Sequence, residues 1–498
     1  MLRRNKEKGK TMEYAFLLLI RIIQGGMGVN ISRPLLANTV SRLGGLGTIS
    51  GVALERVMAR ILAIGDPGGD IRRALSHFPF QDIAKMVLDA YFIPEGSDPK
   101  KKPRAVPVYS VKPSRLLIAS IICANYAFVW LAKEGHNKPI SVNYLEKIAT
   151  PHVYAVTGAM LAGVDVITMG AGLPFDMPPM ITALLEGREL EYPVPVIRQD
   201  RSRGKHIVRF NPREFFGVEL PQMKRPAFLP IISSLLLAKL CLDSKNIPTG
   251  GVQGFVVETD TAGGHNAPPR GQPTFDELGQ PNYGPKDVVD YLKLAALLKE
   301  HGLPFWIGGS FASPEKLAWT IEQGAQGIQV GTAFALCEQS GMDPIIRQEV
   351  RRLGFRGELV VRTDPTASPT GFPFKVVQST GTVSDRATYE ARCRICDQGA
   401  LVVLYERPDG SIGTRCSAEP VEDYVRKGGK AEDTLGVRCL CNGLLVTGGL
   451  ASPDDDEPAI ITIGDDATRI TQILMTNENS SYGAADVMQY LLGIQRCA

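Results

Sequence analysis

The chain has 498 residues, a net charge of +3, 44% hydrophobic and 21% charged residues. These are the proportions of an ordinary globular protein, and the length suits one large domain with a smaller one, or two to three domains. So small a charge, with no basic run interleaved with aromatics, excludes nucleic acid as a partner.

Residues 1–19 read as a basic N-terminal tail beginning MLRRNKEKGK. The run AFLLLI within it is followed by Arg21, has no small-residue cleavage site and is too short to span a bilayer. Neither a secretory signal nor a membrane anchor is expected, no other uninterrupted apolar span stands out, and the location is read as cytoplasmic.

From residue 20 short apolar runs alternate with helical patterns. LLLIRIIQGGMG reads as a first strand and its glycine turn. PLLANTVSRLGGLGTIS is a helix followed by a strand, Gly47 to Ser50. SRLLIASIICANYAFVWLAKEG is a helix closed by Gly135, and KPISVNYL a strand. TPHVYAVTGAMLAG is a helix with Thr150 capping and Pro151 in its first turn. VDVITMGAGLP is a strand with a glycine loop, MPPMITALLEG a helix, PAFLPIISS a strand and SLLLAKLCLDSKN a helix. GFVVETDTAGGH is a strand and its loop. GPKDVVDYLKLAALLKEHG places Val288, Tyr291, Leu292, Ala295 and Leu298 at helical spacing. PFWIGGS is a strand. SPEKLAWTIEQG is a helix with Ser313 capping, Pro314 first and Gly324 past its end. AQGIQVGTAF and DPIIRQEVRRLG complete the series.

Near-continuously apolar strands alternating with helices mean a parallel sheet covered on both faces. About eight such units fit within residues 20–355, with irregular insertions at about 65–113 and 191–226. That count predicts a (β/α)8 TIM barrel. Alternation stops in residues 356–498, read as an appended C-terminal segment holding a cysteine cluster, a linker at PDDDEP and a final helix in YGAADVMQYLLGIQ.

In such a barrel the loops after the strands build the active face, with phosphate between the loops after strands seven and eight. Those loops are IGGSF, with Gly308 and Gly309, and VGTAF, with Val330, Gly331 and Thr332. Glycine lets backbone N–H groups approach an anion, and IGGSFASPE runs straight into a helix N-terminus. No GxGxxG opens a βαβ unit, so a Rossmann-type dinucleotide site is not indicated. QGGMG, Gln24 to Gly28, ends the first strand, and its glycines allow backbone to lie against a flat ring.

Together, IIQGGMGVNISRPLLANTVSRLGGLGTIS, SVN, TAGGH and IGGSFASPEKLAWTIEQGAQGIQVGTAF resemble the nitronate monooxygenase (2-nitropropane dioxygenase-like) family over roughly residues 20–350. The resemblance implies an FMN-containing TIM barrel and an oxidoreductase. It implies FMN contacts from the QGGM turn (Gln24, Gly25, Gly26, Met27), Asn143, Gly263, Gly264, Gly308, Gly309, Gln329, Val330, Gly331 and Thr332. His265 of the AGGH motif would be the catalytic acid/base. The implied activity is oxidation of alkyl nitronates by O2. The same superfamily holds flavin-dependent enoyl-acyl-carrier-protein (thioester) reductases and NAD(P)H-dependent flavin reductases, and a non-catalytic flavin-binding role is the third class. The small-molecule partners are thus a nitronate or enoyl thioester with O2 or NAD(P)H; a homo-oligomer is left open.

Two departures from the family bear on the substrate. Glu258 stands where the family usually has glutamine, and NAPPRG follows His265. Arg270 in that run is a solvated loop residue or, if the loop folds inward, a second positive charge. A neutral His265 can remove a proton alpha to a nitro group, and a cationic one can pair with nitronate oxygens. The other histidines, His77, His136, His152, His206 and His301, have no partner at metal spacing.

The chain's nine cysteines are an odd number, against a fully paired secreted framework. Cys123, Cys241 and Cys337 sit singly in apolar segments, as core residues do. Cys393, Cys396, Cys416, Cys439 and Cys441 cluster late in the chain. Their spacing leaves a structural zinc, an iron–sulfur cluster and metal-free thiols open.

Overall fold

The computed structural model describes residues 13–97, 103–198, 205–451 and 457–494. Its main sheet has eight parallel strands. In chain order they are β1 (Ile22–Gln24), β2 (Gly47–Ser50), β3 (Ile140–Leu145), β4 (Val166–Gly170), β5 (Ala227–Ile232), β6 (Phe255–Glu258), β7 (Phe305–Gly308) and β8 (Gly327–Val330). From β2 on each pairs with the next, and β8 pairs with β1. The remaining seam is closed by a parallel bridge between Ile23 and Leu46. There Gln24 N donates to Leu46 O and Leu46 N to Ile22 O, both at 2.9 Å. The fold is therefore a closed (β/α)8 barrel, as the alternation predicts.

Side chains fill the barrel rather than leaving a pore. Ile23, Leu46, Val166, Leu229, Val256 and Trp306 form an interior cluster with Leu17 and Ile20. The Trp306 indole donates to Ile20 O at 3.0 Å. Ala15–Leu19 form a 3-10 turn, and buried Leu17 plugs the barrel's N-terminal end. The described part of the expected tail is thus packed structure; residues 1–12 lie outside the described residues.

The helix Arg115–Lys133 corrects the expectation that no apolar window is long enough for a bilayer. It is one such helix among the described residues by length and composition, and 72% of its apolar window is buried within the protein. It packs against His152–Leu161 so closely that a Cβ on Gly158 would lie 2.2 Å from Ile122 O. Both insertions also hold more order than their Gly and Pro content suggests. The first contains helices Asp70–Ser76 and Gln81–Tyr91. The second contains a hairpin pairing Leu190–Val194 with His206–Phe210, then a short helix. In Tyr291–Glu300 the buried face is Leu294 and Leu298 and Leu292 is exposed, while Val288, expected in the same helix, is exposed and precedes it.

The C-terminal segment wraps the barrel's active face. The antiparallel pair Val361–Asp364 and Phe374–Val377 and the helices Leu440–Thr447 and Ala467–Leu474 supply its main contacts. Ala484–Leu491 is the final helix, as expected. Most of the expected PDDDEP linker lies outside the described residues.

Candidate active site

The C-terminal ends of the barrel strands open into a cleft with about 1480 Å³ of free space, its mouth included.

Most residues expected at a cofactor site meet here. Gly25, Gly26 and Met27 come from the loop after β1, Asn143 from β3, and Gly263, Gly264 and His265 from the loop after β6. Gly309 follows β7, and Gln329, Val330, Gly331 and Thr332 come from the end of β8. Two expected residues lie elsewhere. Gln24 is fully buried, its Oε1 accepting from Thr48 N at 2.9 Å and its Nε2 donating to Ser32 Oγ at 2.8 Å. It organises the β1 loop. Gly308 is the last residue of β7 and faces Gln329.

Close packing accounts for several of the glycines. A Cβ on Gly26 would lie 2.3 Å from Asn143 Cβ. Asn143 in turn donates to Gly26 O at 3.2 Å and accepts from Thr168 Oγ1 at 3.0 Å. Gly309 combines a φ of +102° with a virtual Cβ 2.1 Å from Thr259 Oγ1, so no other residue fits this turn. At Gly25, Gly264 and Gly331 a Cβ would meet no protein atom closer than 3.5 Å, so these positions keep space open in the cleft.

His265 is held by the C-terminal segment. Its Nε2 lies 2.7 Å from Ser368 Oγ, which bonds Thr370 Oγ1 at 2.8 Å. Its ring packs edge-on to Phe374 at 4.8 Å, and the two residues form an antiparallel bridge. Lys375 N donates to Gly264 O, Asn266 N to Pro373 O, and Gly264 N to Thr462 Oγ1. Burial, and secondarily the charge of Lys147, hold the imidazole down at about 4, so it is neutral at physiological pH. Glu258 also faces the cleft, and burial alone lifts its carboxyl to about 7.

The end of the cleft near the loops after β7 and β8 carries an unexpected acid. Gly464 N donates to Thr332 Oγ1 at 2.9 Å, and the Asp466 carboxyl accepts from Thr332 and from the Ala312 amide. Burial raises Asp466 above the usual carboxylate range, and its Oδ1 has no partner. An acid in its neutral form can sit beside a bound phosphate; an ionised one opposes it.

FMN fits these residues. The open glycine positions leave room for a flat ring between the β1 and β6 loops. The Gly309 and Gly331 turns lead into helix N-termini at Pro314 and Thr332, where an anion is favoured.

Arg270 does not enter the cleft. Its guanidinium bonds Lys286 O and Ser233 O and its amide bonds Asp287, so it pins the NAPPRG loop to the outside of the barrel. His152 is a fully buried core residue between Tyr144 and Tyr192.

The late cysteines gather in part. Cys396, Cys416, Cys439 and Cys441 share one apolar cluster with Ala418 and Val437, while Cys393 is exposed. Among the described residues no three His, Cys, Asp or Glu side chains converge as metal ligands. The Cys396 thiol lies lower than usual through its hydrogen bond to Cys416. Leu440, between Cys439 and Cys441, lines the cleft, so the cluster backs its wall.

Ser368, Phe374, Leu440, Leu444, Thr462 and Asp466 escape the sequence reading. One cue exists: IITIGDDATRI repeats the apolar run, glycine and helix of IGGSFASPE.

The fold and site thus define a closed (β/α)8 barrel with a glycine-walled cleft at the strand C-termini, completed by the chain's own C-terminal segment. No family model and no curated protein matches the chain. Among solved structures it is similar to FabK from Thermotoga maritima, at 15% identity and TM-score 0.46, covering 96% of this chain and 94% of that one. Nitroalkane oxidase from Streptomyces ansochromogenes gives 12% identity and TM-score 0.43, covering 97% of each chain. The enoyl reductase domain of MlnA from the macrolactin cluster of Bacillus amyloliquefaciens gives 10% identity and TM-score 0.47, covering 97% of this chain and 96% of that one.

Proposed function

We propose that this chain is an FMN-dependent oxidoreductase of the nitronate monooxygenase type, with His265 as the proton-handling residue. The observation that carries the reading is His265 itself: a neutral imidazole at the mouth of a glycine-walled barrel cleft, fixed through Nε2 by Ser368. When bound, FMN supplies the electron-accepting centre that no side chain can.

The chain's residues prepare the substrate. In the tautomer whose Nε2–H donates to Ser368 Oγ, Nδ1 is the basic atom and would accept the proton alpha to a nitro group. The resulting anion and imidazolium offset one another in a site where either alone is costly. The extension's Phe374, Leu401, Leu440 and Leu444 close the cleft with apolar surface and displace water from the reacting carbon.

A second reading is enoyl-thioester reduction using NAD(P)H, favoured by one observation. Glu258 is an acid held near neutrality, suited to giving up a proton, which a reduced enoyl carbon requires.

The test assays FMN-bearing protein two ways. Oxygen uptake with an alkyl nitronate and no NAD(P)H is the expected result. NAD(P)H oxidation dependent on an enoyl thioester favours the second reading. Purified protein that neither retains nor rebinds FMN sinks both.

A further inference from the structure

Glu258 is the last residue of β6, paired with Gly308 of β7, and so stands at the rim where the barrel becomes the cleft. Several polar side chains of the cleft are engaged with protein, although among the described residues Gln329 on β8 has no side-chain hydrogen bond and Asp466 Oδ1 has no partner. Asn143 bonds Gly26 and Thr168, His265 bonds Ser368, Thr332 bonds Gly464, and Thr462 receives the Gly264 amide. The Glu258 carboxyl has no hydrogen bond and no ion pair among the described residues.

Its neighbours offer no charge. β5 and β7 flank β6 and present Ile231 and Gly309 to the cleft, with Gly308 the ladder partner of Glu258. The ionisable groups sharing the cleft are His265 on the following loop and Asp466 on the C-terminal segment; Lys147 acts on His265. An ionised, unpartnered carboxylate in such surroundings is costly once a ligand displaces water. A carboxylic acid there is costly too unless its O–H finds an acceptor. No protein acceptor is in place, so the acceptor must arrive with the ligand.

We propose that Glu258 is a ligand-facing acid that donates a hydrogen bond from its carboxyl to an acceptor oxygen or nitrogen of the molecule bound in the cleft, making it a second proton-handling residue beside His265. The inference rests on the proposed flavin site for the identity of one candidate acceptor, the flavin ring; the other is the substrate. Glutamine at this position would donate a hydrogen bond without titrating. Glutamate adds a proton that can be exchanged.

The test uses full-length wild type, Glu258→Gln and Glu258→Ala, with infrared pH-difference spectra and the visible spectrum of added FMN. The expected result is a protonated-carboxyl band that titrates near neutrality in wild type and is lost in Glu258→Gln. If the acceptor is on the flavin, that band and the FMN absorption shift together on loading without substrate. If it is on the substrate, the band moves only when an alkyl nitronate or enoyl thioester is added. Glu258→Gln should keep FMN and lose the neutral-pH inflection in turnover, and Glu258→Ala should lose at least tenfold in kcat. A band unaffected by Glu258→Gln, or one that no ligand shifts, overturns the proposal. Wild type that holds no FMN, yet whose Glu258 band moves with substrate, supports the acid and sinks the cofactor.

Discussion

His265 and Ser368, 103 residues apart in sequence, are joined by a 2.7 Å contact between Nε2 and Oγ. The loop after β6 and the C-terminal segment therefore line one cleft. A hydroxyl that fixes one imidazole nitrogen sets which nitrogen is basic. Ser368→Ala should lower kcat on a neutral nitroalkane by roughly tenfold to a hundredfold, within the span of general-base effects. Turnover of a preformed nitronate should change less, because that substrate needs no deprotonation. FMN retention should be unchanged, and Ser368→Thr should restore part of the rate. Equal losses on both substrates would remove the assigned role.

The pH dependence of stability should carry two opposed contributions from the cleft. His265 is held at about 4 against an ordinary 6.5, so between these values the unfolded chain binds the extra proton. Its stabilisation is full above pH 6.5 and is lost as pH falls toward 4. Glu258 is held at about 7 against an ordinary 4.5, so here the folded chain keeps the extra proton. Its stabilisation is full below pH 4.5 and is lost as pH rises through 7. Each effect is on the order of 1–3 kcal/mol, at about 1.4 kcal/mol per pKa unit and discounted for water in the cleft. Urea midpoints of ligand-free protein from pH 4 to 8 should flatten on the acid side in His265→Gln and on the neutral side in Glu258→Gln. Parallel curves for all three proteins would contradict both pKa directions.

Gly309 makes a separate prediction at the loop after β7. Alanine there faces a positive φ and the Thr259 hydroxyl at once. Gly309→Ala should cost about 1–3 kcal/mol, the usual toll of a strained backbone position. It should also weaken FMN binding at least tenfold in titrations, because the turn that presents its amides must shift. Gly264→Ala is the contrast: its φ is +82°, but no atom lies within 4 Å. It should show the strain without the clash. Equal FMN affinity in Gly309→Ala and wild type would argue against the anion-binding role of this turn.

The barrel was legible because buried parallel strands are short apolar runs and their turns need glycine. β6 and β7 read directly from GFVVE and PFWIG. The insertions misled because GDPGGDIRRALSHFPF is dense in glycine and proline, though Ile71, Ala74 and Leu75 are buried at helical spacing. The cleft's barrel half was legible from its glycines, except that Gln24 turned inward to satisfy Thr48 and Ser32 and Gly308 stays in β7 facing Gln329. Its other half was not. Ser368, Phe374 and Thr462 act through contacts spanning about a hundred residues or more, and no local pattern marks a serine that will meet a histidine so distant. The late cysteines left zinc, an iron–sulfur cluster and free thiols open on spacing alone; in space Cys393 is exposed and the other four pack with apolar neighbours.

Asp466 gives the sharpest test of how the C-terminal segment treats the cofactor. Its carboxyl occupies donors, the Thr332 hydroxyl and the Ala312 amide, that a phosphate between the β7 and β8 loops would also use. Burial favours its neutral form, but the balance shifts toward the carboxylate as pH rises, and a carboxylate repels a phosphate dianion. Asp466→Asn keeps an acceptor for Thr332 and Ala312 and cannot ionise. FMN should therefore bind Asp466→Asn about five- to tenfold more tightly than wild type at pH 8, near 1 kcal/mol. The advantage should shrink as pH falls and Asp466 becomes neutral. Riboflavin, which has the same ring and no phosphate, should bind both proteins alike. If Asp466→Asn left FMN affinity unchanged across this range, Asp466 would lie outside the phosphate's reach. If riboflavin gained as much as FMN, the effect would belong to the ring and not to the phosphate.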